Sequence, residues 1–115
     1  MHIAALLTAL AVCPPADAPG RVKCTAEIRV DGGARIAWAD VVISSAPSFV
    51  VPLRGRMPPS DATDTRDDLW KFAFAIVAKQ RGHGELVLRM RAVICSGDAC
   101  HPEEREIRAV VSVGE

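Results

Sequence analysis

Arg21 to Val30 reads RVKCTAEIRV. Val22, Cys24, Ala26, Ile28 and Val30 fall on one parity, and Lys23, Thr25, Glu27 and Arg29 on the other. Successive side chains of an extended chain point to opposite faces, so this alternation marks a half-buried strand. The pattern returns in Glu85 to Cys95, ELVLRMRAVIC, where Leu86, Leu88, Met90, Ala92 and Ile94 face inward. It returns again in Glu106 to Val113, with Ile107, Ala109, Val111 and Val113 on one side. Asp31-Gly32-Gly33 and Gln80 to Gly84 carry turn chemistry. Between them, Ala34 to Ile43 is an apolar stretch with Ile36 and Trp38 on one parity, and Ser48 to Leu53 is a short strand limited by Pro47 and Pro52. Leu69 to Ala78, LWKFAFAIVA, reads as a buried strand, whereas Arg54 to Asp68 has no apolar period and reads as a long loop. Roughly six or seven short strands, spaced by turns and with no helix, predict an all-β chain folded as a two-sheet antiparallel sandwich.

The composition fits one such domain. The chain has 115 residues, 50% of them hydrophobic and 24% charged, which is globular and not disordered. A net charge of +0 gives no electrostatic case for nucleic acid or an anionic membrane surface. Aromatic residues make up 4%, with no Tyr, which argues against a base-stacking platform. There is no Gly-rich phosphate loop and no nucleophile elbow. Asp61, Asp64, Asp67 and Asp68 lack the spacing of a calcium loop and read as a solvated segment. The arginines are scattered through strands and are expected to pair with surface acids. No cofactor and no metal are expected.

Ile3 to Val12, IAALLTALAV, is too short to span a bilayer as a helix but has the length of the apolar core of an export signal. Residues 1–18 are therefore expected to be an export signal or an N-terminal extension, and residues 19–115 a single sandwich domain. Ala16-Asp17-Ala18 resembles a cleavage site, and Leu10-Ala11-Val12-Cys13 resembles a lipid-acylation box. Lipidation at Cys13 and retention of the run as a first strand remain alternatives. Contact with a membrane is expected only through such an anchor or through a partner protein.

The compact chemical feature is Val93 to Glu104, VICSGDACHPEE. Ser96-Gly97-Asp98 folds the chain back, and such a hairpin brings Cys95 and Cys100 within reach of a disulfide. A bridge closing so short a loop contributes only about 2 kcal/mol on the chain-entropy estimate. At a sheet end it is also open to an attacking thiolate. Cys95 has the parity of Arg89 and Arg91, off the core face, which favours access. Asp98, Glu103 and Glu104 would disfavour a thiolate, while a protonated His101 beside Cys100 would favour one. A fixed structural bridge, a redox-active pair, and a haem or metal site using His101 or His83 are the three readings of these residues. Cys24 reads as a buried free thiol; if Cys13 is retained, a Cys13–Cys24 disulfide is possible.

The segment Leu88 to Val113, with Cys95-Ser96-Gly97-Asp98-Ala99-Cys100-His101-Pro102 at its centre, resembles the N-terminal periplasmic domain of the thiol:disulfide interchange protein DsbD. The shared pattern is a strand ending in Cys, a short loop bearing Asp, a second Cys, a residue followed by Pro, and a last strand. The resemblance implies an immunoglobulin-like sandwich located in the periplasm. It implies a protein-disulfide reductase module that passes electrons to thioredoxin-like or other disulfide-carrying partners. Cys95 and Cys100 would be the redox pair, and Asp98, His101 and Pro102 the loop around it. Family members shield the pair with a Phe-bearing loop. Met57 to Asp68 has no Phe, which leaves Met57 or Trp70 as the candidate for that role.

Overall fold

The computed structural model describes residues 6–114. The described residues form two antiparallel sheets facing each other across one core. In chain order the strands are β1 (Leu7–Val12), β2 (Gly20–Val30), β3 (Arg35–Ser45), β4 (Val50–Pro52), β5 (Arg56–Met57), β6 (Ala62–Arg66), β7 (Leu69–Ala78), β8 (Gly82–Ser96) and β9 (Ala99–Val113). One sheet runs β1-β2-β7, with β4 and β6 both on the far side of β7; the other runs β5-β3-β8-β9. This is the strand order of an immunoglobulin-like sandwich, with β4 and β6 sharing the fourth position of a five-stranded sheet that faces a β3-β8-β9 sheet with a short extra edge. The expected all-β, immunoglobulin-like antiparallel architecture is thus present.

The alternating strands bury the parity read from the sequence. Cys24, Ile28, Phe72, Ile76, Leu86, Leu88 and Met90 are all 0% exposed and meet between the sheets. Leu69–Ala78 is a strand, as expected, and pairs along its length with β2. The β8–β9 hairpin has 15 residues in each arm and runs the 52 Å long axis of the molecule. Two glycines at its base let the preceding loop close over it. A Cβ on Gly82 would sit 2.8 Å from the Phe49 ring, and one on Gly84 2.8 Å from Pro47.

Two expectations are corrected here. First, Arg54–Asp68 is not a featureless loop: it holds β5, a single 3-10 turn at Pro59–Asp61, and β6. These strands are edge pieces whose hydrogen bonds come from β3 and β7, so they carry no period of their own. Second, Ile36 and Trp38 do not share a face. A bulge at Ala37 shifts the register, so Ile36 pairs with Ile94 in the core while Trp38 pairs with Val93 on the outer face. The described part of the apolar N-terminal run fits the strand alternative: from Leu7 onward it forms β1, in register with β2 from Leu7↔Val30 to Val12↔Thr25, and its cleavage or lipidation is a separate matter of processing. Residues 1–5 lie outside the described residues. An Ala/Leu run is apolar on both parities, so its alternation is invisible in sequence. Leu10 and Val12, which lent it the look of an export signal, lie exposed on the outer face of an edge strand.

Candidate functional site: the hairpin tip and the face beside it

The β8–β9 hairpin ends in a two-residue turn, Gly97-Asp98, closed by the Ser96↔Ala99 pair. Gly97 has φ 60, in the left-handed region that favours glycine. Glycine with positive φ at the first central position is the signature of the turn type that matches strand twist in tight hairpins. One step in, Cys95 and Cys100 are register partners and form a disulfide, with Cα atoms 4.0 Å apart. A two-residue hairpin puts its second pair in the non-hydrogen-bonded position, where side chains on adjacent strands stand closest. The geometry of the tip therefore brings the two sulfurs together without any help from the core.

The two cysteines are unequally exposed. Cys100 is exposed, whereas Cys95 is 2% exposed. The expectation that parity would leave Cys95 accessible is corrected. Its parity is off the core face, as read, but it sits between two neighbouring strands: Cys100 on one side and Arg35 of β3 on the other. Arg35 is the residue that sequence reasoning missed. Register partners share a face with Cβ atoms about 5 Å apart, so a guanidinium shares the face of the Cys95 sulfur. Only the β3–β8 register, itself displaced by the bulge, reveals it.

His101 is not on the sulfur's face. Alternation along β9 sends it to the opposite side from Cys100, where its Nε2 lies 3.2 Å from Glu103 Oε1. Arg105 Nη1 donates to Glu103 Oε2 at 3.1 Å. That bond, opposed by slight burial and joined by the Arg105 and His101 charges, holds the Glu103 carboxyl below the usual carboxylate range. Glu104 does share the face of Cys100. It is four residues away, about 13 Å, and sits 3.6 Å from Arg89 Nε. Pro102 also shares that face. Its missing N–H falls on the open edge of β9, where no ladder bond is lost.

Beside the bridge, the outer face of the sheet is laid out in cross-strand rows. Trp38, Val93 and Pro102 form the first row, and Asp40, Arg91 and Glu104 the next. All of these but Asp40 border a hollow of about 420 Å³. Asp40 is 0% exposed although it points outward, because two arginines cap it. Arg56 Nε donates to its Oδ2 at 2.9 Å and Arg91 Nε to its Oδ1 at 2.9 Å, with a second bond from Arg91. Arg91 also lies 5.9 Å from the Trp38 ring centroid. Burial alone would raise the Asp40 carboxyl, but the bonds from Arg91 and Arg56 outweigh it and hold the carboxyl below the ordinary range. The expectation that arginines pair with surface acids describes Arg54–Asp61, Arg66–Asp64 and Arg89–Glu104. It overlooked this buried carboxylate.

Met57 does not serve as a cap for the bridge. It is buried opposite Val41, whose other partner is Met90, about 17 Å along the strand from Cys95. The β6–β7 turn is at the bridge end: Ile36 N–H donates to the Asp67 carbonyl at 2.7 Å, and Ile36 is the partner of Ile94. Trp70, just after that turn, packs against Phe72 with ring centroids 6.4 Å apart.

The second pair is also joined. Cys13 and Cys24 form a disulfide with Cα atoms 4.4 Å apart, so Cys24 is not a free thiol. Both residues are buried in the core cluster. No group of three His, Cys, Asp or Glu able to hold a metal occurs among the described residues. No helix among them is long and apolar enough to cross a membrane. No protein-family model and no curated protein sequence matches the chain. Among solved structures it is similar to AggA, the major subunit of aggregative adherence fimbriae type I from Escherichia coli. That likeness has a TM-score of 0.47 and 8% identity, covering 98% of this chain and 97% of that one. At that level it carries no functional inference.

Proposed function

We propose that this domain is an extracytoplasmic thiol–disulfide exchange module working through Cys95 and Cys100. The observation that carries the reading is the asymmetry of the tip bridge: one sulfur-bearing residue is exposed and its partner is buried beside an arginine's strand position. The resemblance to the DsbD N-terminal domain points the same way. Two disulfides in so short a chain fit an oxidising compartment such as the periplasm.

The exchange is a pair of substitutions at sulfur. In the reduced domain, the Cys100 thiolate attacks one sulfur of a partner disulfide. A mixed disulfide forms and the partner's other sulfur leaves as a thiolate. The Cys95 thiolate then attacks Cys100 Sγ and expels the partner's remaining sulfur. The partner gains two electrons and the domain ends with the Cys95–Cys100 bridge. A reductant dithiol restores the domain in two steps: its first thiolate attacks Cys100 Sγ and Cys95 leaves as a thiolate on the face that carries Arg35, and its second thiolate then attacks the first reductant sulfur, releasing the Cys100 thiolate and closing the reductant's own disulfide.

A second reading is a non-catalytic sandwich for which the same bridge is a staple. All four cysteines are paired and Cys95 is buried, which favours it. The two readings separate in a glutathione redox series followed by alkylation and mass measurement. Exchange of the Cys95–Cys100 couple within minutes, in folded protein near periplasmic poise, supports the module. Resistance to reduction until the fold melts supports the staple.

A further inference from the structure

The sheet that holds β7 is interrupted on one side. There β4 faces Ile76 to Ala78 and β6 faces Leu69 to Phe72. Between β4 and β6 the chain leaves to place β5 in the other sheet. Ala73, Phe74 and Ala75 have no register partner on that side among the described residues. The Ala75 carbonyl accepts from Leu53 N–H, and the Lys71 carbonyl accepts from the Thr63 hydroxyl. Alternation then directs the backbone N–H and C=O of Ala73 into the same gap.

A hollow of about 290 Å³ opens at this gap. Ala73 and Ala75, whose side chains lie on the outer face of β7, line it together with Leu53, Met57 and Phe74. Arg21, Lys23 and Arg54 also line it, and no acidic residue does. Arg54 is paired with Asp61. Arg21 and Lys23 make no ion pair among the described residues. Their strand β2 sets them on the outer face, Lys23 opposite Ala75 and Arg21 opposite Val77. A cationic rim, a free backbone donor and an apolar floor are the parts of an anion site with room for a small hydrocarbon body.

We propose that this hollow binds a small anionic molecule, its carboxylate, sulfate or sulfonate head on Arg21 and Lys23 and its apolar portion over Ala73 and Ala75. The site lies on the sheet opposite to the one carrying Cys95–Cys100 and does not depend on the exchange reading.

The test uses the full chain with both bridges formed. It is titrated with 8-anilinonaphthalene-1-sulfonate by fluorescence and calorimetry, then with octanoate and the neutral octanol as competitors. Saturable one-to-one binding is expected, displaced by octanoate and not by octanol. Hydrogen bonds to charged groups lead us to expect that Arg21→Gln and Lys23→Gln each weaken binding about tenfold. Ala75→Leu points away from the core, so it leaves the thermal melt unchanged and abolishes binding by filling the hollow. Lys71→Gln, on the same face outside the hollow, leaves binding unchanged. Non-saturating or multi-site binding would overturn the proposal, as would equal affinity in the Arg21 and Lys23 variants or displacement by octanol.

Discussion

The two disulfides of this domain sit in opposite environments. Cys13–Cys24 fastens an edge strand to its neighbour, and both residues belong to the buried core. Cys95–Cys100 closes the tip of a long hairpin, and neither residue belongs to that core cluster. A bridge embedded among apolar side chains is out of reach of an attacking thiolate; one at a strand turn with an exposed partner is not. The chain thus holds one bridge suited to permanence and one suited to turnover. What separates them is the exposure of Cys100, because both are short-range pairs between adjacent strands and the other three cysteines are buried.

Removing the core bridge breaks the comparison from the stable side and is the largest expected effect. A variant with Cys13→Ala and Cys24→Ala should lose about 3 kcal/mol in denaturant unfolding, from the chain-entropy estimate for a separation of 11 residues. Cleavage after Ala18 would remove this bridge by another route, since it takes away β1 and Cys13 together; the intact mass of the protein purified from its own cells decides this. The tip bridge closes a separation of 5, so Cys95→Ala with Cys100→Ala should cost about 2 kcal/mol and abolish exchange altogether. Equal losses, or a larger loss from the tip pair, would mean that the two bridges do the same structural job.

The Asp40 cluster is the next effect. It ties β3 to β8 and β5 two rows from the bridge. Both arginines are about half exposed, at 49% and 43%, so solvent screening limits the cost of Asp40→Asn to about 1.5 kcal/mol at pH 7. The carboxyl is held low in the folded state, so its contribution is complete above the unfolded value and is lost as pH falls through the lower folded one. The gap between wild type and Asp40→Asn should therefore close as urea midpoints are taken from pH 7 toward pH 2. A gap that stays constant would show that the ion cluster adds nothing. The smallest expected effect is at Gly97, where a Cβ meets open space and only the positive φ opposes it. Gly97→Ala should cost about 1 kcal/mol and slow bridge closure after reduction.

Much of this was legible in the residues. Period-two alternation located β2, β8 and β9 and their buried faces, and the bulky run Leu69–Ala78 located β7. Cys95-Ser96-Gly97-Asp98-Ala99-Cys100 announced a bridged hairpin. What could not be read depends on register or on partners. The bulge at Ala37 turns Trp38 outward, and no local pattern signals it. Arg35 becomes a neighbour of Cys95 only through that pairing. His101 looked adjacent to Cys100 in sequence, but alternation separates them. Asp40 looked like any surface acid, and two distant arginines bury it. The apolar N-terminal run has a composition shared by export signals and by edge strands, so its pairing with β2 and the meeting of Cys13 with Cys24 were open in sequence.

The most direct test of the unequal bridges is differential trapping in a mixed-disulfide assay with a thioredoxin-like protein. Cys95→Ser leaves the exposed Cys100 thiol, and Cys100→Ser leaves the buried Cys95 thiol. The account predicts that Cys95→Ser accumulates a covalent adduct and Cys100→Ser does not. It also predicts that Cys13–Cys24 stays oxidised throughout and that Arg35→Gln slows reduction of the wild-type bridge severalfold. Adducts through Cys13 or Cys24, or equal trapping by both tip variants, would contradict it.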